Sequence, residues 1–418
     1  MCDTLCLVTQ QGTFFAKNSD RPVDEPQVLH AVHGRPADCD NRTLPTQYIR
    51  IEDTGAQPCL ISRPTWLWGA EHGINTHCVA IGNEKIYTRD DPYESRPALI
   101  GMDLVRLALE RSTTGEEAVR EIARLLDAYG QGGIADAHAA EPYWSSFLVA
   151  DPHEAWIVET SGATWAAKRI YPSNAVAGAC ISNRITLTTD WDIASKDVAA
   201  GSDFDSWRSP DAPTAHADIR LNASHKFLDS LASQSRNTGV TERNMADILH
   251  TASSFAAHLR DHGTGPWGDP LSPTHQDTVP PPAYSLPDGT GVSICMHIRS
   301  YQTTAAAMIT FLPVDDNQPA LCWATLGSPC CSIFMPILPP YHVPGFMERE
   351  ATWKRFDALR QRSEDDPGAL EGIRAVLSPL EGSLWQEAAD LGNSIPAWTA
   401  FHQSAASRVE DSLTSLGV

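Results

Sequence analysis

The chain has 418 residues, 42% of them apolar, which is ample for a sizeable core; 31 Lys+Arg against 52 Asp+Glu leave a formal charge of −21. So acidic a surface argues against nucleic acid or an anionic membrane as the main partner. No stretch approaches the roughly 20 apolar residues of a membrane span, and the first residues lack the basic and apolar regions of a signal peptide, so a cytoplasmic location is expected.

The first predicted element is a hairpin. Asp3 to Val8 reads as a strand, Gln10-Gln11-Gly12 as its turn and Thr13 to Ala16 as the return. The return leads into Lys17-Asn18-Ser19-Asp20-Arg21-Pro22, which the hairpin folds back beside Cys2. If an aminopeptidase removes Met1, Cys2 carries a thiol and a free α-amine on one residue. The thiolate is the nucleophilic form, and a free thiol near pKa 8.5 is only partly ionised at neutral pH. An α-amine titrating near about 8 can take the thiol proton as a general base. A cation nearby favours the thiolate, and a carboxylate can hold the amine. From this stretch alone, a start methionine, a buried cysteine and a solvated turn fit equally well.

Met1-Cys2-Asp3-Thr4, followed by the run Phe14 to Pro22 with Glu25 and Gln27 beyond, resembles the secernin and peptidase family C69 group of N-terminal-nucleophile hydrolases. That group is related to the penicillin V acylases and bile-salt hydrolases.

Residues 23–65 are rich in Pro, Asp and Gly and read as loops with short strands. Trp66 to Asn75 and Cys78 to Glu84 read as two strands around a glycine turn. Trp68-Gly69-Ala70-Glu71 and Ala80 to Glu84 are similar to the secernin pattern, and Asn83 falls where the related acylases place an oxyanion-binding asparagine. Residues 100–130 are the clearest helical region. Ile100, Leu104, Leu107 and Ala108 share one face, Thr114 and Glu117 form a capping-box pattern, and Gly130 ends the run. From Ser146 the period changes to two. Phe147 to Ala150, Ala155 to Glu159 and Thr164 to Ile170 form an antiparallel meander. Asn183 then matches the asparagine beside the nucleophile in the acylase relatives; on its own it reads as a strand-end residue.

Residues 223–260 carry two further helical patterns. Residues 262–291, dense in Pro, Gly and Asp, read as a loop over the sheet or a lid, with His275 exposed. Strands return at Val292 to His297, Thr303 to Leu312, Cys322 to Leu326 and Ser332 to Met335. From Gly345 the chain is helical to its end. The ten cysteines show no CxxC pair and no zinc-type spacing. Cys330 and Cys331 have no basic residue adjacent in sequence, so they read as structural.

The element order indicates an α+β fold with two stacked antiparallel sheets flanked by helices. The resemblance implies the four-layer αββα sandwich of N-terminal-nucleophile hydrolases over residues 2–340, with a helical extension over 341–418. It further implies hydrolysis of a C–N amide or dipeptide bond through a thioester on Cys2. Asp20 would orient the α-amine, Lys17 would favour the thiolate, and Asn83 and Asn183 would donate to the oxyanion. Arg184, Arg299, Asn18 and Glu71 are candidates for binding substrate. No metal or organic cofactor is implied; the expected partner is a small amide or dipeptide, and a homo-oligomer is expected. An N-acyl amidase sharing the Cys2 chemistry and a non-enzymatic interaction protein are the alternatives.

Overall fold

The computed structural model describes residues 1–37, 42–172, 176–238, 244–263, 292–298, 301–340, 343–366 and 368–418. Most of the expected loop at 262–291, with His275, lies outside the described residues, as does Arg299.

Strands β1 (Cys2–Thr9) and β2 (Gly12–Pro22) form the expected hairpin, with Cys2 opposite Ser19. The return strand does not stop at Ala16. It continues through the charged cluster, because Gln302–Pro313 pairs along its other edge, with Thr303 opposite Arg21. A partner on both sides overrides the poor strand propensity of Lys, Asn and Asp. Lys17 to Arg21 are therefore strand residues with alternating faces rather than a solvated turn.

One sheet runs in the order Val176–Ile181, β1, β2, Gln302–Pro313, Leu321–Leu326, Met335–Ile337, with His297–Ile298 pairing beside Gln302–Pro313. The other runs Ile193–Ala194, Thr164–Ile170, Ala155–Ser161, Trp144–Ala150, Ala80–Ile86, His72–Asn75, Cys59–Pro64, Gln27–Val32. Neighbours in both sheets are antiparallel.

Apolar alternation stacks the layers. Cys6, Val8 and Phe15 meet Leu60, Ile74, Ala80 and Leu148 between the sheets. The outer face of the second sheet, including Ile61, Ile81 and Phe147, is covered by helices α1 (Gly101–Arg111) and α2 (Gly115–Tyr129). Leu5, Leu7, Phe14 and Ala16 on the outer face of the first sheet pack under α3 (Thr214–Thr238) and α4 (Met245–Leu259). The result is helix, sheet, sheet, helix. The Thr114 cap is present, accepting from Glu117 N at 3.2 Å, but the Glu117 carboxylate takes Thr113 N rather than closing a box on Thr114.

Two expected strands differ. Of Val292 to His297, only the last residue pairs as strand. The backbone of the rest is taken up elsewhere: Asn18 donates to Ile294 O, Cys295 N donates to Asp261 O, and Met296 N donates to Thr304 Oγ1. Ser332 to Met335 shifts to Met335–Ile337 behind a short 3-10 turn at Pro329–Cys331.

Helices Glu350–Asp365, Ala369–Ala389 and Ile395–Ser415 complete the chain. Their Trp353, Phe356, Leu359, Leu377 and Trp398 belong to the same buried cluster as Cys6 and Phe15. Trp353, 2% exposed, also donates its Nε1 to Ala305 O at 2.8 Å. Trp353→Ala removes that volume and the bond together and is expected to cost about 3–5 kcal/mol. Urea unfolding of the two proteins checks this; a change under 1 kcal/mol (about a fivefold shift in the folding equilibrium) contradicts the shared core.

Candidate active site

Alternation in the hairpin sorts the N-terminal residues onto two faces. Cys2 and Thr4 on β1, with Lys17 and Arg21 on β2, face the second sheet; Asp3, Asn18 and Asp20 face the α3–α4 side. Cys2 is buried, and Asp20 N donates to its Sγ at 3.4 Å. Cys2 N donates to Asn183 Oδ1 at 2.9 Å. The Met1 amine donates to Gln302 Oε1, and the Met1 side chain packs against Val292, Met296, Ile298 and Tyr301. Burial lowers the pKa of this amine, opposed by Cys2 and Asp20. Burial also pushes the Cys2 thiol up, and the strongest opposing influence is the Lys17 ammonium, followed by the amine.

Lys17 is fully buried between the sheets. It donates to Asn83 O at 2.7 Å and lies 3.5 Å from Glu84 Oε1. Burial lowers its pKa, but Cys2, Glu84 and Glu71 outweigh that and hold it above the usual lysine value. Gly82 makes the room: a Cβ there would lie 2.7 Å from Lys17 Cδ. Glu84 also accepts from Thr4, and burial pushes it up to about 7 against the pull of Lys17. On the other side of the same strand, the Asn83 amide, with its oxygen and nitrogen assigned to satisfy the network, donates to Glu71 Oε2 and Glu71 O at 2.9 Å. Glu71 is buried and accepts from Arg21 Nη1 at 3.1 Å; Arg21 also donates to Glu25 and to Tyr143 Oη.

Asp20 Oδ1 accepts from Thr304 at 2.7 Å, while its buried Oδ2 has no hydrogen-bond partner among the described residues. Behind the N-terminus sits Arg220 of α3, fully buried. It donates to Cys2 O at 3.1 Å, Asp3 Oδ2 at 2.6 Å and Asn183 Oδ1 at 2.7 Å. Ser182 donates to the other Asp3 oxygen. Two donors on Asn183 Oδ1 fix its amide orientation and leave Nδ2 for Lys85 O at 2.8 Å.

The fold thus gathers Cys2, Lys17, Asp20, Asn183 and Glu71 around the hairpin's open end; the expected oxyanion donor Asn83 brings only its backbone carbonyl to Lys17, and its side chain lies on the other side of the strand against Glu71. Asn18 is near in sequence, but its Nδ2 is engaged by Leu259 O and Ile294 O, a tie between segments. Arg184 is partly exposed and pairs with Asp218 at 2.5 Å. Sequence reasoning missed Arg220, which carries no local signal, and gave no role to Gln302 and Thr304, whose segment resembles the secernin pattern, or to Asp3, whose adjacency to Cys2 was a hint.

Residues 57–235 match the model of peptidase family C69. Over that range the chain resembles a family of peptidases, which supports a hydrolase acting on amide bonds. Structures similar to it include a variant of the conjugated bile acid hydrolase from Clostridium perfringens, at 10% identity over 77% of this chain and 88% of that one with a TM-score of 0.41. Penicillin V acylase from Agrobacterium tumefaciens follows at 12% identity over 82% and 87%, with a TM-score of 0.37. No helix among the described residues is long and apolar enough to cross a membrane. One group among them has metal-ligand chemistry, namely His262, Cys295, His297 and Cys330, and it shares no residue with the Cys2 cluster.

Asp20 offers a test of site against scaffold. Burial pushes its carboxyl up to about 6, with the N-terminal amine and Arg220 opposing. A carboxyl raised on folding stabilises when protonated. That contribution is full below about pH 4, the unfolded value, and is lost as pH rises through about 6. Asp20→Asn removes the loss, so its melting temperature should match or exceed the parent's above pH 6, with the gap closing below about pH 4. Turnover should nonetheless fall at least about tenfold. Melting curves from pH 3.5 to 8 and kcat on the same preparation check both; normal turnover with lowered stability at pH 8 rejects a catalytic role.

Proposed function

We propose that this protein is an N-terminal-cysteine amidohydrolase that cleaves a small amide or dipeptide through a thioester on Cys2. The observation that carries the reading is the seat of one residue. The thiol and backbone nitrogen of Cys2 are both buried in a cluster holding a cation, a carboxylate and an oriented amide.

After removal of Met1, the Cys2 nitrogen becomes the α-amine. Asn183 Oδ1 holds it, and Asp20 Oδ2, lacking a partner among the described residues, is its natural counter-ion. The amine takes the thiol proton while Sγ attacks the substrate carbonyl carbon. Collapse of the tetrahedral intermediate breaks the C–N bond, and the leaving amine departs with that proton. Water then hydrolyses the thioester, releasing the acid and restoring the thiol. Lys17 favours the thiolate through its charge. Donation to the oxyanion by Asn183 requires its amide to exchange Lys85 O for the substrate oxygen, and one such donor is worth about 3 kcal/mol of barrier; the Asn83 side chain, on the other side of its strand against Glu71, leaves only its carbonyl on the Lys17 side.

The apolar surroundings of the Met1 side chain favour a substrate with an apolar group next to the scissile carbonyl. The same contacts favour the second reading, a non-enzymatic interaction protein, if Met1 is retained, because the amine is then on the wrong residue.

Cys2→Ala is expected to lower turnover at least about 10³-fold with the fold intact, and Cys2→Ser to leave weak activity. Intact mass of the parent should lack one methionine. A screen of dipeptides and N-acyl amino acids supplies the assay. Parent-like rates in processed Cys2→Ala, or a retained Met1 in an active protein, sink the mechanism.

A further inference from the structure

Away from the Cys2 cluster, three segments far apart in sequence bring four soft ligands together. His262 follows α4, Cys295 and His297 flank the Met296 backbone bond to Thr304, and Cys330 lies in the Pro329–Cys331 turn. Their ligand atoms all lie within 4.8 Å of one another. His297 Nε2 is 3.4 Å from Cys295 Sγ and 3.3 Å from Cys330 Sγ. The His262 and His297 rings meet edge-on with centroids 5.0 Å apart. For zinc with Zn–S about 2.3 Å and Zn–N about 2.0–2.1 Å, the S-to-N edge of a tetrahedron is about 3.5 Å. The two measured edges already have that length.

We infer that His262, Cys295, His297 and Cys330 form a tetrahedral zinc site. Two thiolates neutralise Zn²⁺, so the filled site adds no net charge to a buried region. Binding releases the two thiol protons to solvent. The surroundings of His297 have the form a metal ligand needs: its Nδ1 is held by Glu364 Oε1 at 2.9 Å, which presents Nε2 to the thiols. Arg360 in turn holds Glu364 Oε2 at 2.6 Å and Asp357 at 2.7 Å. Cys331 lies beside the site, 3.5 Å from Cys330 Sγ and 3.5 Å from Ser363 Oγ, and is not one of the four. Mixed sulfur and imidazole ligands favour zinc over the oxygen-seeking calcium and magnesium.

Four protein ligands close the coordination shell, so the site is structural rather than catalytic. It joins the end of α4 to the Cys295–His297 segment, the Pro329–Cys331 turn and, through Glu364, the helix Glu350–Asp365. The first two are the segments that Asn18 ties together two residues from Asp20. Zinc therefore braces the wall behind the Asp20–Thr304 contact without touching the nucleophile.

The full chain, isolated under reducing conditions without chelator, should contain about one zinc per chain by elemental analysis. Cobalt(II) exchanged for zinc should give the strong visible and near-ultraviolet bands of a tetrahedral two-thiolate site. Chelation should lower the melting temperature by about 5 °C or more, with recovery on adding Zn²⁺. Cys330→Ser and His297→Ala should each reduce bound zinc at least tenfold; far-ultraviolet circular dichroism identifies the variants that fold. Folded, reduced parent protein that takes up neither zinc nor cobalt overturns the assignment. So does iron or copper at the same stoichiometry, or full zinc content in a folded Cys330→Ser variant. The parent's metal content and cobalt spectrum decide the matter even where a variant fails to fold, and none of these readouts depends on amidase activity.

Discussion

A fully buried ammonium is the constraint around which the site is arranged. Lys17 sits between the two sheets, where an uncompensated charge is strongly unfavourable. Its compensation comes from the Asn83 carbonyl and from Glu84, with Gly82 leaving space for the stem. Yet Glu84 is itself pushed up to about 7, so near neutral pH it is only partly ionised. The Lys17 ammonium also draws the Cys2 thiol down, though burial still holds that thiol above its ordinary value. Lys17 thus acts on the Cys2 thiol and on the Glu84 carboxyl at once, each influencing the other's charge through the same ammonium.

The opposite face of the hairpin supplies rigidity. Arg220 and Asp3 form a buried ion pair at 2.6 Å, completed by Ser182. The same guanidinium grips the Cys2 carbonyl and the Asn183 oxygen, so one side chain fixes both the Cys2 backbone and the amide that accepts from its nitrogen. Removing either charge would strand the other in the interior, a loss of about 3–5 kcal/mol. Such support from behind is what keeps a reactive group in a usable geometry.

How much of this the sequence disclosed follows from range. The hairpin, the α1 and α2 faces and the Thr114 cap are local patterns, and they were readable. The two-layer stacking was readable from the order of strand and helix patterns. The extent of β2 was not, because Lys17 to Arg21 are strand only by virtue of Gln302–Pro313, a partner far along the chain. Asn18 shows how proximity misleads: two residues from Asp20, it nonetheless binds the carbonyls of Leu259 and Ile294. Cys330 was set aside for want of a basic neighbour in sequence, and the fold supplies His297 at 3.3 Å. His262, Cys295, His297 and Cys330 have no motif spacing, so only tertiary structure could assemble them.

Because the faces of β2 alternate strictly, its length is constrained in a way its composition does not reveal. One residue added between Ala16 and Arg21 would turn every later side chain over. The lysine side would then meet the α3–α4 layer and the asparagine side would meet Glu84. Drift in chain length is therefore confined to the Gln10-Gln11 tip, where an added residue lengthens the loop and leaves the pairing of Cys2 with Ser19 intact.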